Sequence, residues 1–395
     1  MDLTERVYRG AIESLRRCSV PHGLKASGLP RGHRQIWARD SMISLLGARF
    51  IPDDRIQCAL HASLSSLKRH RSSTGQIPNH VDCETGRANF RAYADGGLWW
   101  VVGSTLLAPD PSTVRTVLAW YACQDVDGTG LLQMQEGSDW QDLFCTRGKG
   151  LCLNALYVIA LRAAARQMAQ EAPQESEGFL RQAARVADQV NRLFWYRGDG
   201  CMLPHIAHTF STEDLRRDSL GRERWIPQKR QLVDEQYYLP YLGFRAFGEW
   251  FDSFANLLAI LSGVAGPRQT GAILDFIERH SLNAWPLRSL TPAVRPGDPD
   301  WRDYYGALNL PHQYHNGGVW PFIGGFYVAA LVKAGRQSAA ERALRSLAEL
   351  NERGGFNEWH HGESGAPMGV NDQAWSAGMY VFAFECVRTG RVDLP

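Results

Sequence analysis

Apolar residues recur at helical spacing along most of the chain. One such stripe consists of Leu180, Ala183, Ala187, Val190 and Phe194, since residues three and four apart share one face of a helix. The same spacing predicts helices over 3–17, 40–70, 97–107, 111–123, 151–169, 180–194, 250–263, 270–280, 318–334, 340–350 and 371–387. Strand-like alternation is short and rare. The pattern therefore predicts a predominantly α-helical protein.

The segments between these windows are long and rich in Gly, Pro, Asp, His and Trp. They cover residues 19–39, 72–97, 125–150, 196–248, 283–317 and 352–370. Loops longer than about 12–15 residues are usually functional or disordered, and an aromatic-rich composition disfavours disorder. We expect these loops to pack together over one mouth of the fold. No linker-like change of composition interrupts the chain, so residues 1–395 are predicted to form one domain.

Composition and charge narrow the possible partners. The 395 residues are 44% hydrophobic and 21% charged, with a formal net charge of +2 and no Lys/Arg block interleaved with aromatics. We therefore expect no nucleic-acid partner. The longest apolar stretch, near 319–332, is interrupted by Pro321, Gly324 and Gly325 and is too short to cross a membrane. The eight cysteines lack a CxxC pair, so we expect reduced thiols in a soluble, cytoplasmic protein.

Aromatic side chains are frequent in the loops, where they stand beside Asp, Glu, Asn and Gln. The chain has 13 Trp and 13 Tyr. A sugar ring has an apolar face of C–H groups and a rim of hydroxyls, so its binding site combines aromatic rings with carboxylates and amides. Large aromatics also fill protein cores, which is the competing interpretation for any single ring. Their clustering with polar residues favours a small carbohydrate as the ligand.

Several acidic residues are candidates for chemistry, each with a structural alternative. Asp40 and Asp95 stand where helices are predicted to begin, and either could be a helix cap. The segment 134–142 (MQEGSDWQD) holds three carboxylates beside a Trp, although an exposed acidic loop would look similar. Glu358 lies between aromatics, which would desolvate its carboxylate; a buried structural Glu is the alternative.

Histidines raise the possibility of a metal site. His312 and His315 are three residues apart, and His360 and His361 are adjacent. No third ligand stands at a suitable spacing. We therefore predict neither a metal nor another cofactor.

Five segments together resemble two families of glycosidases. Segment 37–43 (WARDSMI) resembles W-G-R-D-[ST]-M-I of the glucosidase domain of glycogen debranching enzymes, and 95–100 (DGGLWW) resembles D-S-G-L-W-W of neutral and alkaline invertases. Segment 147–157 (RGKGLCLNALY) resembles the debranching run R-x-G-K…N-A-L-W-Y. Segments 314–321 (YHNGGVWP) and 373–376 (QAWS) are similar to motifs of both families. The segments occur in the family order and cover most of the chain.

The resemblance implies an (α/α)₆ barrel, a six-hairpin helical toroid, that hydrolyses a glycosidic bond with inversion. The general acid would lie in the loop 134–142, where Asp139 is the best positional match and Asp142 and Glu136 are the next candidates. The general base would be Glu358, at the place of the Glu in the invertase W-P-E-Y-Y-D-G. The acid must stay protonated near neutral pH, so we expect Trp140 and Asp142 to raise the pKa of Asp139.

The remaining site residues are also carried over from the resemblance. Arg39, Asp40 and Asp95 would bind sugar hydroxyls, while Trp99, Trp320 and Trp375 would form the walls of the subsite. His315 and Asn316 would complete its rim. The other expected substrate contacts are Trp37, Trp140, Asp142 and Gln373.

The predicted reaction is hydrolysis of an α-glucosidic bond in a small glucoside or oligosaccharide, as in an amylo-1,6-glucosidase. A neutral or alkaline invertase acting on sucrose is the first alternative. A sugar epimerase or isomerase is the second, because such enzymes also use helical toroids and a His base. A carbohydrate-binding protein without catalysis is the third.

Overall fold

The chain is described by a computed structural model over residues 2–30, 32–91, 94–196, 213–217, 220–227, 235–243 and 246–395. Within these ranges it forms twelve α-helices: α1 Leu3–Cys18, α2 Ala38–Ala48, α3 Asp54–Arg69, α4 Gly96–Leu107, α5 Pro111–Ala122, α6 Leu151–Met168, α7 Pro173–Leu193, α8 Ser253–Leu261, α9 Pro267–Arg279, α10 Pro321–Lys333, α11 Gln337–Gly354 and α12 Ala374–Thr389. The helices alternate between two kinds along the chain.

Even-numbered helices are buried on nearly all sides, whereas odd-numbered helices are amphipathic. Every residue of α2 is buried, and so is every residue of α10 except Lys333. In contrast, α1 buries only Val7, Ala11, Ser14, Leu15 and Cys18. The even-numbered helices contact one another in the cyclic order α2, α4, α6, α8, α10, α12 and back to α2. This closed inner ring with an outer layer is the (α/α)₆ barrel, which confirms the predicted fold class.

The inner helices approach closely where small residues meet. Gly378 of α12 lies against α2, and a Cβ atom added to it would come within 2.6 Å of Cα of Ser44. A Cβ on Gly47 of α2 would likewise overlap the carbonyl oxygen of Gly378. Glycines are therefore required where α12 returns to α2 and the ring closes.

Each predicted helix window overlaps an observed helix, although α7 begins seven residues before its window and one window contains a break. The window 40–70 contains two helices, α2 and α3, separated by residues 49–53. Pro52 cannot continue a hydrogen-bonded helix, and the Asp53 side chain accepts from the backbone N–H of Ile56 to cap α3. The turn reverses the chain from the inner to the outer layer.

The connections between helices are alternately short and long, in step with the alternation between inner and outer helices. The links from inner to outer helices are short, such as 108–110 and 334–336, whereas each link into an inner helix is long. The long links carry all the short strands: β1 Ser19–Val20, β2 Gly23–Leu24, β3 Ile36–Trp37, β4 His80–Val81, β5 Ala88–Asn89, β6 Lys149–Gly150, β7 Glu213–Arg217, β8 Glu223–Pro227, β9 Tyr241–Gly243, β10 Ala246–Phe247, β11 Phe251–Asp252, β12 Leu290–Thr291, β13 Trp359–His360 and β14 Pro367–Met368.

Neighbouring long loops are joined by strand pairing. The loop before α2 pairs with the loop before α4 through β3 and β4, which β5 extends, and the loops before α6 and α8 pair through β6, β9 and β10. Val319, just before α10, bridges to His360 in β13. The other pairs, β1 with β2, β7 with β8, β11 with β12 and β13 with β14, are antiparallel. The loops therefore form one continuous rim where the inner helices begin.

None of the helices in the described ranges is long and apolar enough to cross a membrane.

Candidate active site

A cavity of about 180 Å³ opens within this rim. One water needs only roughly 10–15 Å³ of such space, so the cavity has room for a ligand of the size of a sugar ring. Its lining combines aromatic rings with charged and amide groups: His33, Trp37, Arg39, Asp40, Arg91, Trp140, Asp142, Leu143, Tyr314, His315, Trp320, Glu358, Gln373 and Trp375. A carbohydrate has the complementary groups, since its apolar C–H faces pack on aromatic rings and its hydroxyls bind charged and amide groups.

Six of the fourteen lining residues lie at, or immediately before, the N-terminal end of an inner helix. Trp37 immediately precedes α2, and Arg39 and Asp40 lie in its first turn. Trp320 immediately precedes α10, and Gln373 immediately precedes α12. Helix N-termini carry partial positive charge and unpaired N–H groups, so the barrel favours negative groups at this end.

Three indole rings form the floor of the cavity. The ring of Trp140 meets that of Trp320 edge to face at 5.5 Å, and Trp375 meets Trp320 in the same way at 5.6 Å. The imidazole of His315 stacks on Trp320 at 5.3 Å. Because each ring is fixed by another, the floor is rigid and apolar.

Arg39 is the central cation of the site, and its side chain is only 5% exposed. Its guanidinium lies 3.7 Å from Oδ2 of Asp40, 3.4 Å from Oδ2 of Asp95 and 3.7 Å from Oδ2 of Asp142. It also donates a hydrogen bond of 3.2 Å to the backbone carbonyl of Asp139. One buried charge thus connects α2, α4 and the loop 134–142.

The three candidate acids of the loop 134–142 have different surroundings. Asp142 lines the cavity. Glu136 lies outside it, in an ion pair of 2.8 Å with Arg302. Asp139 is fully buried and is not among the residues that line the cavity; its Oδ1 accepts from the backbone N–H of Gln141, and its Oδ2 has no hydrogen-bond partner among the described residues. The loop therefore presents Asp142, not Asp139, to a ligand in the cavity.

Burial raises the pKa of Asp139 to about 8, and the negative charges of Asp95 and Asp252 add to the effect. A raised pKa was expected from the sequence, but from Trp140 and Asp142. The acidic neighbours are instead Asp95 before α4 and Asp252 before α8, because the Asp139 side chain is buried among the ends of the inner helices.

The pKa of Asp142 lies below its usual range. Burial raises it, but the hydrogen bond with His315 and the charge of Arg39 outweigh that effect. Nε2 of His315 lies 3.4 Å from Oδ1 of Asp142. Burial in turn lowers the pKa of His315. Without a ligand, the pair therefore consists of an ionised Asp142 and a neutral imidazole.

Glu358 lines the cavity at the loop before α12. Burial is the largest effect on the pKa of Glu358 and raises it, and the charges of Asp40 and Asp142 raise it further. The charge of His33 and a backbone hydrogen bond act in the opposite direction and lower the pKa. Nε2 of His33 is 3.9 Å from Oε1, and the backbone N–H of Val370 donates to Oε2 at 3.2 Å. The net effect is a raised pKa. The carboxylate is held between two loops and faces the same cavity as Asp142.

Several buried polar atoms around the cavity have no hydrogen-bond partner among the described residues. They include Nε1 of Trp37, Oδ2 of Asp40, Nε2 of Gln373 and Nε1 of Trp375. Buried polar groups are almost always paired in folded proteins. Donors and acceptors together would be satisfied by the hydroxyl groups of a sugar.

Four of the residues expected from the sequence do not line the cavity. Asp95 and Asp139 are buried, and each contacts Arg39, Asp95 through its carboxylate and Asp139 through its backbone carbonyl. Trp99 is buried against Phe326, with ring centroids 6.0 Å apart, and so belongs to the core. Asn316 is buried and exchanges two hydrogen bonds of 2.8 Å with the backbone of Val294, which fixes the loop that carries His315.

Four residues that line the cavity have no role expected from the sequence, namely His33, Arg91, Leu143 and Tyr314. Tyr314 lies within the segment YHNGGVWP, so that motif could have identified it. The others lie in loops without a periodic pattern. Within the described ranges, no group of three His, Cys, Asp or Glu side chains is arranged to hold a metal ion.

Comparison with known sequences identifies a family. Residues 92–389 match the family of alkaline and neutral invertases. The chain is 26% identical over 366 residues to cytosolic invertase 1 of Oryza sativa subsp. japonica, covering 84% of this chain and 63% of that protein. It is 28% identical over 331 residues to the probable alkaline/neutral invertase D of Arabidopsis thaliana, covering 74% and 59%. The chain thus spans about three fifths of the length of these relatives.

Solved structures of glycosidases share the fold. The mannosylglycerate hydrolase of Thermus thermophilus, in complex with Tris and D-glycerate, matches with a TM-score of 0.65 at 17% identity, covering 95% of this chain and 99% of that chain. A bacterial glucoamylase complexed with acarbose matches with a TM-score of 0.63 at 14% identity, covering 98% and 56%. At these identities the likeness concerns the barrel.

Replacing Arg39 with Met should destabilise the protein more at pH 8 than at pH 5. The substitution leaves Asp40 and Asp95 buried without their nearest cation, and breaking a buried ion pair typically costs about 3–5 kcal/mol. Burial already raises the pKa of Asp40 to about 6, and that of Asp95 is also raised. A carboxyl whose pKa is raised on folding loses stability as pH rises through that pKa. Urea unfolding at both pH values measures the difference.

Arg6→Met is the matched control, because the Arg6–Glu352 ion pair of 2.7 Å is half exposed and such pairs contribute little. It should leave the free energy of unfolding unchanged at both pH values. An Arg39→Met variant as stable as the wild type at pH 8 would show that the buried charges do not depend on this guanidinium.

Proposed function

The chain belongs to the alkaline and neutral invertase family, and on that premise we propose that this glycoside hydrolase cleaves sucrose. From the sequence alone, a small α-glucoside is the expected substrate and sucrose is the alternative. The curated relatives favour sucrose, since several are named as invertases. Membership of a hydrolase family also disfavours the isomerase alternative. The closed helical ring supports treating residues 1–395 as one catalytic domain.

The observation that carries the proposed mechanism is the presence of Asp142 and Glu358 on one cavity floored by indole rings. An inverting glycosidase needs one carboxylic acid and one carboxylate about 6.5–9.5 Å apart, with the sugar and a water between them. We assign these roles to Asp142 and Glu358. The glucosyl ring would rest on Trp320 and Trp375.

Asp142 is the general acid in this proposal, in place of Asp139. A general acid must reach the glycosidic oxygen, and Asp142 lines the cavity while Asp139 does not. In the absence of ligand, Asp142 is ionised. A bound sugar displaces water and strengthens the burial contribution that already raises its pKa. Asp142 then takes up a proton and passes it to the oxygen that leaves with fructose.

Glu358 is the general base. Its carboxylate removes a proton from a water, and that water attacks the anomeric carbon of glucose from the face opposite to fructose. Burial and the charges of Asp40 and Asp142 raise the pKa of Glu358, which makes it a stronger base than an exposed Glu. The bond from carbon to water oxygen forms as the bond to the fructosyl oxygen breaks. The products are glucose and fructose.

The buried polar atoms around the cavity that have no hydrogen-bond partner among the described residues would bind the sugar hydroxyls. Oδ2 of Asp40 would accept from a hydroxyl group, while Nε1 of Trp37 and Nε2 of Gln373 would each donate to one. Arg39 holds Asp40 and Asp142 in place. Asp139, with its pKa raised to about 8, is assigned a supporting role behind the cavity.

Asp142→Asn and Glu358→Gln should each lower kcat/KM for sucrose by about 10²–10⁴-fold, which is the usual contribution of a general acid or base. Asp139→Asn should stay within roughly tenfold of the wild type, because its carboxyl does not meet the ligand. Release of glucose and fructose measures turnover, and thermal unfolding by circular dichroism verifies that each variant folds.

The opposite ranking, in which Asp139→Asn is inactive and Asp142→Asn retains turnover, would return the acid role to Asp139. A wild-type protein that binds sucrose but never releases glucose would favour a binding protein over a hydrolase.

Gly369→Ala should lower kcat for sucrose by about 10²-fold, with a smaller change in KM. A Cβ atom at Gly369 would lie 2.5 Å from Oε2 and 2.9 Å from Cβ of Glu358, and displacing a catalytic group by about 1 Å costs rates of this order. Steady-state kinetics with sucrose measure both constants.

Gly86→Ala is the control for backbone strain. Gly86 has φ of +67° and Gly369 has φ of +69°, but a Cβ atom at Gly86 meets no atom within 4 Å. Equal losses of kcat in the two variants would attribute the effect to strain rather than to the position of Glu358.

A further inference from the structure

The cavity has a closed floor and an open mouth, as the exposure of its lining shows. Trp140 and Trp320 are each 1% exposed, whereas Leu143 is 43% exposed. The side chain of His33 is 45% exposed, and Arg91 is exposed. A glucosyl ring held on the indole floor therefore directs the leaving group of the substrate towards His33, Arg91 and Leu143.

The basic side chains of the cavity differ in whether a carboxylate of the protein lies within ion-pair distance of them. Arg39 faces Asp40, Asp95 and Asp142. His33 faces Glu358, and His315 faces Asp142. Within the described ranges, the guanidinium of Arg91 has no ion pair, and its backbone N–H bonds to Asn89. Among the described residues that line the cavity, Arg91 is therefore the guanidinium that remains for a ligand.

We propose that Arg91 selects substrates whose leaving group carries an anion, either a carboxylate or a phosphate. The inference rests on the proposed glycosidase function and narrows its substrate class: sucrose is cleaved, and a related glucoside whose leaving group carries an anion is preferred to it. A guanidinium presents paired N–H donors that fit the two oxygens of either anion. The neutral hydroxyls of fructose would make no use of its charge.

The charges around the mouth agree with this assignment. The carboxylates that line the cavity are Asp40, Asp142 and Glu358, and each faces Arg39, His315 or His33. Arg91 lies within ion-pair distance of none of these three carboxylates, so its guanidinium is available to an anion on the leaving group. The charge of Arg91 also acts on Asp142, where it lowers the pKa. An anion bound at Arg91 would offset that charge and favour protonation of the acid.

The test compares charged and neutral substrates that share one glycosyl group. The first pair is sucrose phosphorylated on its fructosyl C6 and sucrose itself, and the second is α-glucosylglycerate and α-glucosylglycerol. The ratio of kcat/KM for the charged over the neutral member is measured for the wild type, Arg91→Gln and Arg87→Gln. Arg87 is an exposed cation four residues earlier that does not line the cavity.

The wild-type ratio should exceed one in at least one pair, and Arg91→Gln should lower it about tenfold, in line with loss of a hydrogen bond to a charged group. Arg87→Gln should leave it unchanged. The pair that responds tells whether the anion is a phosphate or a carboxylate.

Equal ratios in the wild type and Arg91→Gln, with the neutral substrates still cleaved, would overturn the role of Arg91 and leave the hydrolase function intact. No cleavage of any of the four substrates would instead contradict the proposed function itself.

Discussion

The charged half of the cavity depends on one buried guanidinium. Arg39 lies against Asp40, Asp95 and Asp142 and bonds to the carbonyl of Asp139. Carboxylates this deeply buried are costly to ionise without a cation. The positive charge of Arg39 favours the ionised forms of Asp40 and Asp142. Both carboxyls lie beside an apolar floor, where electrostatic interactions are strong. This one side chain contacts the proposed acid, the proposed sugar contact Asp40 and the backbone of Asp139.

The barrel makes that position possible because its two kinds of connection are separated. Short links join inner to outer helices, and long links lead into the inner helices. The long loops therefore meet where the inner helices begin, and their side chains share the N-terminal ends of α2, α10 and α12. Strand pairing between neighbouring loops ties the rim together. A rigid frame thus carries a polar cavity made entirely of loop and first-turn residues.

The sequence predicts the frame better than the cavity, for a physical reason. Helical stripes and fully apolar windows have a period, so the barrel could be expected, and Pro52 with Asp53 marks the one break that the pattern missed. Loops have no such period. The motifs located the loop 134–142 but not which carboxyl lines the cavity, since Asp139 and Asp142 stand three residues apart in one loop and only the fold buries the first and brings the second to the cavity. Arg91 and His33 carry no pattern, and only the fold brings them to the mouth.

The most direct test of the account is a crystal structure of the Glu358→Gln variant soaked with sucrose. We predict that the glucosyl ring lies on Trp320 and Trp375 and that the glycosidic oxygen lies about 3 Å from the carboxyl of Asp142, which is hydrogen-bonding distance. A glycosidic oxygen in contact with Asp139 instead, or sucrose bound away from the indole floor, would contradict it.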